Sequence, residues 1–179
     1  MDTAIIIILV LLAIGVLLAF LYVITYNKLQ KNLIRIKEAE AQIDDALRRR
    51  YDILVKMENI INENTNLKQN NFEGFESDKV SNYEFDRKLT KIADTFSKIN
   101  SDYSDELDTE VFRNALVDLK INEEKNEAAK TYYNRFTTKL NMLIKRFPSN
   151  LVARIHGIDE RLYFDNKNMG DDDILDFKL

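Results

Sequence analysis

Apolar residues form one unbroken stretch near the start of the chain and regular stripes after it. From Ala4 to Ile24 no residue is charged, and Ile, Leu, Val and Ala dominate. A helix of that length rises roughly 31 Å, which matches the hydrocarbon core of a bilayer. The pattern therefore predicts a transmembrane anchor over residues 1–25. Within it, Gly15 and Ala19 form a small-xxx-small pair of the kind that packs a second helix.

A cleaved signal peptide is the alternative interpretation of this stretch. Such a peptide has a basic first segment, a shorter apolar core and small residues at its cleavage site. Here Asp2 is the charged side chain before the run, and the run ends in large residues, Leu21-Tyr22-Val23-Ile24. We therefore expect the helix to be retained.

The charges that flank the apolar run predict its orientation. Basic residues follow it closely, namely Lys28, Lys31, Arg35 and Lys37, whereas Asp2 precedes it. Lys and Arg next to a transmembrane helix are retained on the cytoplasmic side. We therefore expect a single-pass cell-membrane protein with its N-terminus outside and its body in the cytoplasm. A body outside the cytoplasm is the alternative.

Beyond the run, apolar residues recur at steps of three, four or seven, which indicates amphipathic, coiled-coil-like helices. No helix breaker separates the first stripe from the anchor, so we expect one helix to about Leu67. A turn over residues 69–76 follows, and Ser77 is the predicted N-cap of a second helix. The stripes are Tyr26, Leu29, Leu33, Ile36, Ile43, Leu47, Leu54, Met57 and Ile61, then Phe85, Leu89, Ile92, Phe96, Ile99 and Tyr103, then Phe112, Leu116, Leu119, Ala129, Tyr133, Phe136, Leu140, Leu143 and Phe147.

The predicted fold class is all-α, with the N-terminal transmembrane helix continuing into an elongated antiparallel three- to four-helix bundle over residues 26–157. A polar stretch at residues 101–108 predicts the second turn, and helices joined by short turns pack antiparallel. Pro148 ends the third helix and begins a short fourth helix that Gly157 closes. The segment 158–179 is acidic overall and has no apolar period, so we expect a flexible tail. A short apolar hook at residues 174–177 is the alternative there.

The composition excludes most kinds of catalytic site. The 179 residues include no Cys and one His, His156. A thiol nucleophile, a Cys-ligated metal and a multi-histidine centre therefore lack their groups within one chain. No glycine-rich phosphate loop or nucleophile elbow occurs, and the Glu-x-x-His motifs of a ferritin-type centre are missing. We predict a protein that is not an enzyme and has no cofactor, metal or small-molecule substrate, with a carboxylate metal-binding bundle enzyme as an alternative. His156 is expected to contact the last carbonyls of a helix end.

Charge argues against nucleic acid as a partner. The chain has 26 basic and 30 acidic residues, a net charge of −4. Arg48, Arg49 and Arg50 are consecutive, but Asp44 and Asp45 precede them and no aromatic stacking platform accompanies them. Each Asp precedes an Arg by four residues, so the spacing predicts the ion pairs Asp44–Arg48 and Asp45–Arg49 on a solvated helix face.

Charged and polar residues also interrupt the apolar stripes themselves. They are Glu40 and Arg50 in the first stripe and Glu123 and Asn126 in the third. A charge on a bundle seam is usually paired. The hypothesis is that Arg50, or Arg49, contacts Glu123 or Glu124 across the bundle and fixes its register. Binding of a protein partner is the alternative role for these residues.

Two blocks of sequence carry a resemblance to a known family. The early block is Ile43-Asp44-Asp45-Ala46-Leu47-Arg48-Arg49-Arg50-Tyr51-Asp52-Ile53-Leu54, and the late block holds Tyr133-Asn134, Asn141, Ile144 and Phe147-Pro148-Ser149-Asn150-Leu151-Val152-Ala153. With Tyr26-Asn27-x-Leu29 after the apolar run, they resemble the LemA family of bacterial membrane proteins, as far as about Phe164. The chain departs from the family in having Val55-Lys56 after the early block, where Pro is common, and Asn126 where an apolar residue is usual.

The resemblance implies an extended antiparallel helical bundle on a single membrane helix, and it implies no activity. We predict a membrane-anchored scaffold or adaptor of the LemA type that presents a rigid cytoplasmic rod to protein partners or to itself. The expected partners are the lipid bilayer and an unidentified protein, with a homo-oligomer as an alternative. A transmembrane signalling partner is the alternative function. The candidate structural or partner-binding residues are Asp44, Arg49, Arg50, Glu123, Tyr133, Asn134, Asn141, Phe147 and Pro148.

Overall fold

A computed structural model describes residues 3–73 and 81–165, which form four α-helices and no strand. The helices are α1 (Thr3–Asn64), α2 (Asn82–Asp102), α3 (Glu110–Lys145) and α4 (Ser149–Ile155). The predicted all-α fold class is confirmed. Ser77 and the segment 166–179, which includes the predicted apolar hook, lie outside the described residues.

The anchor and the first stripe belong to one continuous helix, α1. It ends at Asn64, slightly before the predicted end at Leu67. The Thr65 hydroxyl donates to the Ile61 carbonyl at 2.7 Å and accepts from the Leu67 amide at 3.2 Å. A side chain that bonds nearby backbone groups competes with the next helical turn, which accounts for the end of the helix here.

The chain divides into two compact units. Among the described residues, the first unit comprises residues 3–37 and 133–163, and the second comprises residues 38–73, 81–132 and 164–165. The predicted division at residues 25 and 157 stays a prediction.

The core of the first unit joins α1, α3 and α4. Its fully buried residues are Leu29, Ile36, Leu140, Val152 and Ala153, and half-buried side chains such as Tyr26, Leu33 and Phe136 pack around them. Val152 and Ala153 lie on the buried face of α4, so this short helix is held by apolar contacts.

The core of the second unit uses all three stripes. Its buried side chains include Ile43, Leu47, Leu54, Met57 and Ile61 from α1, Phe85, Leu89, Phe96 and Ile99 from α2, and Phe112, Ala115, Leu119 and Ala129 from α3. Phe96 is 0% exposed and Phe112 is 1% exposed. These are core positions, as their heptad spacing predicted.

The connection after α1 is tied back to that helix. The Asn62 side chain accepts from the Gln69 amide and donates to the Gln69 carbonyl, and Glu58 accepts from the backbone and side-chain amides of Asn71. After the gap, α2 begins at Asn82 with Ser81 as its N-cap, and the Ser81 hydroxyl accepts from the Glu84 amide at 3.3 Å. The N-cap of α2 is therefore Ser81, whereas the predicted N-cap, Ser77, lies outside the described residues.

The prediction that Phe147 belongs to the core stripe of the third helix was wrong. Phe147 is 79% exposed. Because α3 ends at Lys145, the chain has already left the helical path at this residue, and the apolar face of α3 no longer determines where the side chain lies. Pro148 is the N-cap of α4, which ends at Ile155 before Gly157 with its positive φ of 60°.

Candidate functional site

Charged side chains from three helices meet inside the second unit. The buried charge cluster consists of Arg50 on α1, Asp86 on α2, and Glu123, Asn126 and Lys130 on α3. Arg50 Nη1 lies 3.2 Å from Asp86 Oδ1, and Arg50 Nη2 lies 2.8 Å from Glu123 Oε1. The structure thus brings Arg50 and Glu123 together across the bundle.

Asp86 is the centre of the cluster. Besides the contact with Arg50, its carboxylate accepts from the Asn126 side-chain amide at 2.9 Å and from Lys130 Nζ at 2.6 Å. The side chains of Arg50, Asp86 and Lys130 are 7%, 12% and 14% exposed, whereas that of Glu123 is 41% exposed. The ion pairs of Asp86 are therefore shielded from water, whereas the pair of Arg50 with Glu123 is open to solvent on one side.

Helix geometry explains why these residues converge. Glu123, Asn126 and Lys130 follow one another at steps of three and four, so they share one face of α3. Arg50 stands four residues before the buried Leu54, on the apolar stripe of α1. Two cations and two carboxylates are thereby gathered in a core made mostly of apolar side chains.

The cluster neutralises its own charge, which suits a structural role. A buried charge without a partner costs several kcal/mol, whereas a paired cluster contributes little net stability compared with apolar residues. The hypothesis that the cluster fixes the register stays a prediction, and its physical basis is that a slip of one helix along another would separate each charge from its partner. Arg50 also donates to the Thr90 hydroxyl at 3.1 Å, which adds a second contact with α2.

The other arginines of the early block lie on the outer surface of α1. Arg48 pairs with Asp44 at 2.9 Å and Arg49 pairs with Asp45 at 3.0 Å, and all four side chains are largely exposed. Both predicted pairs are confirmed. Arg49 therefore has its carboxylate partner on its own helix, while Glu124 lies exposed on α3.

A surface groove of about 490 Å³ lies beside α1 and α3 in the second unit. Polar side chains line its rim, and they include Gln42, Asp45, Arg49, Lys125 and Tyr132. Ala46 and Ala129, both small, form part of the lining between the two helices. The groove follows α1 for about two turns, since Gln42 and Arg49 are seven residues apart on this helix.

The late-block residues of the first unit bind the chain that follows α4. The Asn141 side chain donates to the Arg161 carbonyl at 2.8 Å and accepts from the Arg161 amide at 2.9 Å. Tyr133 donates its hydroxyl to the Leu162 carbonyl at 3.0 Å, and the Tyr163 and Thr138 hydroxyls lie 3.0 Å apart.

Residues 161–163 are therefore bound to α3 by hydrogen bonds, and the expectation of a flexible tail over residues 158–179 stays a prediction. Apolar periodicity was the sequence signal that we used, and these contacts are made by side-chain amides and hydroxyls with backbone groups, which leave no such period. Asn134, the remaining residue of the late block, is half-buried and accepts from the Thr138 hydroxyl through its carbonyl.

Sequence reasoning missed Asp86 and Lys130, which complete the cluster. A signal was present for Asp86, since it precedes the buried Leu89 by three residues and so shares the face of the α2 stripe. Sequence reasoning also missed the contact of His156, whose Nε2 lies 2.6 Å from the Tyr22 hydroxyl oxygen. The backbone amide of His156 contacts the carbonyls of Val152 and Ala153 at the end of α4, whereas its ring contacts Tyr22 and Tyr26.

Within residues 3–73 and 81–165, no group of three or more His, Cys, Asp or Glu side chains is arranged to hold a metal ion. Of the helices described there, α1 alone is long and apolar enough to cross a membrane, and none of its most apolar stretch is buried.

These features define a class of protein, an all-α helical-bundle protein with an apolar N-terminal helix of membrane-spanning length. The model of the LemA family matches residues 39–174, and the chain belongs to that family. The match includes both sequence blocks and the whole charge cluster, and it begins after Tyr26-Asn27-x-Leu29. A search of curated proteins found no match to this chain.

Proposed function

We propose that this LemA family member is a non-enzymatic, membrane-anchored helical-bundle scaffold that presents its body to protein partners in the cytoplasm or to copies of itself. The observation that carries the proposal is the exposure of the first part of α1. Every residue from Ile5 to Ile24 is exposed, and nearly all are large and apolar. An apolar surface of this extent is not stable in water, and a bilayer is the environment that matches its length.

The orientation follows from charge. The exposed basic side chains of Lys28, Lys31 and Arg35 come directly after the apolar stretch on α1. The positive-inside rule then favours the cytoplasm for everything that follows.

Cysteine labelling tests the anchor and its orientation together. The chain has no Cys, so each introduced one is unique. In intact cells we expect a membrane-impermeant maleimide to label Thr3→Cys and to leave Ser104→Cys unlabelled until the membrane is permeabilised. Ser104 is exposed in the turn after α2, so burial will not hide it. Labelling of Ser104→Cys alone would reverse the orientation, and recovery of the protein in the soluble fraction would contradict the anchor.

The distribution of charged and polar side chains in the second unit supports the scaffold role. The ion pairs of the buried charge cluster lie within the second unit and join α1, α2 and α3, so its charges serve the packing of these helices. The groove that includes Gln42, Arg49 and Lys125 has instead an open polar rim along two helices. A surface of this form suits a helix from another protein, because side chains at successive turns of α1 and α3 can contact side chains at successive turns of the bound helix.

Site-specific photocrosslinking tests this surface. We expect a photoreactive residue in place of Gln42 to yield a discrete adduct in intact membranes, because the side chain lies at the rim of the groove. The matched control is Lys98, an exposed polar residue on α2, which is not part of the groove. The mass of the adduct separates a second copy from another protein. Equal yields at both positions, or no adduct at Gln42, would contradict a docking role.

A further inference from the structure

The short helix α4 carries both buried and exposed apolar side chains. Val152 and Ala153 are buried in the core of the first unit. Other apolar side chains of the segment are exposed, since Leu151 is 48% exposed, Ile155 is 70% exposed, and Phe147 just before the helix is 79% exposed. Leu151 and Ile155 are four residues apart and so lie one above the other. Three large apolar side chains are thus presented to the surroundings by one short segment.

The end of this segment lies beside the end of the apolar stretch of α1. His156, the C-cap of α4, has its Nε2 atom 2.6 Å from the Tyr22 hydroxyl oxygen. Its ring also packs on Tyr26, with centroids 4.5 Å apart. Tyr22 belongs to the last turn of the apolar stretch, which ends at Ile24. A bilayer that surrounds this stretch therefore reaches the level of α4.

Basic residues accompany the exposed apolar ones. Arg146 precedes the segment and Arg154 lies in its last turn, and both are exposed, as are Lys28 and Lys31 on α1. Basic side chains beside exposed Leu, Ile and Phe are typical of segments that lie in the interface of a bilayer, where the phosphates of anionic lipids attract the cations. Tyr and His side chains at the same level suit that interface as well.

We propose that α4 and the preceding Phe147 form an interfacial element that rests on the bilayer crossed by α1, with Phe147, Leu151 and Ile155 among the outer acyl-chain segments and Arg146 and Arg154 at the lipid phosphates. The inference rests on the proposed membrane anchoring and adds a second membrane contact to it. Its consequence is that the first unit is held against the membrane surface by two elements, α1 and α4.

A bilayer fits this surface better than a protein does. At 1.5 Å per residue the seven residues of α4 extend roughly 10 Å. Three side chains on such a segment fall well short of the area that a stable protein interface buries. A bilayer imposes no such minimum here, because α1 already holds the segment at the membrane and no separate association step is required.

Tryptophan fluorescence tests the proposal in the full-length chain, which has no native Trp. The variants are Ile155→Trp, Ile34→Trp and Leu12→Trp, each reconstituted into vesicles of phosphatidylcholine and phosphatidylglycerol with acyl chains brominated near their headgroup end or near their methyl end. Ile34 is the matched control, since it is an Ile that is 55% exposed on the same unit. It lies ten residues, about 15 Å, beyond Ile24 along α1. Leu12 reports on the anchor.

We expect lipid brominated near the headgroup end to remove more than half of the Ile155→Trp emission and little of the Ile34→Trp emission. Lipid brominated near the methyl end should quench Leu12→Trp most strongly. If Leu12→Trp is quenched and Ile155→Trp behaves like Ile34→Trp, the interfacial element is wrong while the anchor stands. If Leu12→Trp is not quenched, the anchor itself fails. A blue-shifted Ile155→Trp that bromine does not quench would show a protein on this face, which also overturns the proposal.

Discussion

Replacing Arg50 by Ala is expected to lower the free energy of unfolding by about 3 kcal/mol, because it removes the guanidinium from the shielded carboxylate of Asp86, which keeps its contacts with Lys130 and Asn126. For a chain of this size the melting temperature should fall on the order of 10 °C. Arg50 Nη1 contacts Asp86 at 3.2 Å and Thr90 at 3.1 Å, and Nη2 contacts Glu123 at 2.8 Å. Thermal unfolding of the full-length protein in detergent, followed by far-ultraviolet circular dichroism, measures the change.

Arg49→Ala is the matched control, since it removes the same side chain one residue away. Its partner Asp45 is exposed and lies on the same helix, so the expected cost is below about 1 kcal/mol. A double-mutant cycle of Arg50→Ala with Asp86→Ala should show a coupling of roughly 1–3 kcal/mol, because the two side chains lose the same contact. Equal melting temperatures for the Arg49 and Arg50 variants would remove the argument that the cluster sets the packing of α1 against α2.

Replacing Asn141 by Ala is expected to release residues 158–165 from α3. The Asn141 side chain is 1% exposed and makes two hydrogen bonds with the backbone of Arg161. Two such bonds contribute about 2 kcal/mol. That loss corresponds to roughly a 30-fold rise in the population of the released segment. The measurement is the rate of tryptic cleavage after Arg161 in the folded protein, followed by mass spectrometry.

Asn114→Ala provides the comparison, because Asn114 is an exposed Asn on the same helix. Its cleavage rate should equal that of the unmodified chain. If Asn141→Ala leaves the rate after Arg161 unchanged, then the contacts of Tyr133 and Tyr163 suffice to hold the segment, and Asn141 is not its main attachment.

The candidate site divides into a part that periodicity predicted and a part that it did not. Arg50 and Glu123 were predicted to face each other because both fall on apolar stripes, and a charge on a stripe needs a partner. Asp86 was not predicted, although it shares a face with Leu89. A stripe identifies which side of a helix is buried, but three helices offer many pairings, and the choice depends on how far each helix is shifted along its neighbour.

The exposed Phe147 and the attached residues 158–165 illustrate the limits of the same reasoning. Both lie beyond the end of α3, where a period of 3.6 residues no longer applies. The contacts there use single side chains, such as that of Asn141, with backbone groups distant in sequence. Such contacts leave no repeating pattern in the sequence, so only the folded structure shows them.

By itself, therefore, the sequence determined the helices, their buried faces, an apolar segment of membrane-spanning length and the pairs Asp44–Arg48 and Asp45–Arg49, because each depends on residues within a few turns of one helix. Only the tertiary structure decided that Asp86 accepts from Arg50, Asn126 and Lys130, that Asn141 holds Arg161, and that His156 reaches Tyr22. The physical reason is that these contacts depend on the rotation and axial shift of one helix against another. Those two quantities are set by the packing of whole side-chain layers, and no local pattern in the chain records them.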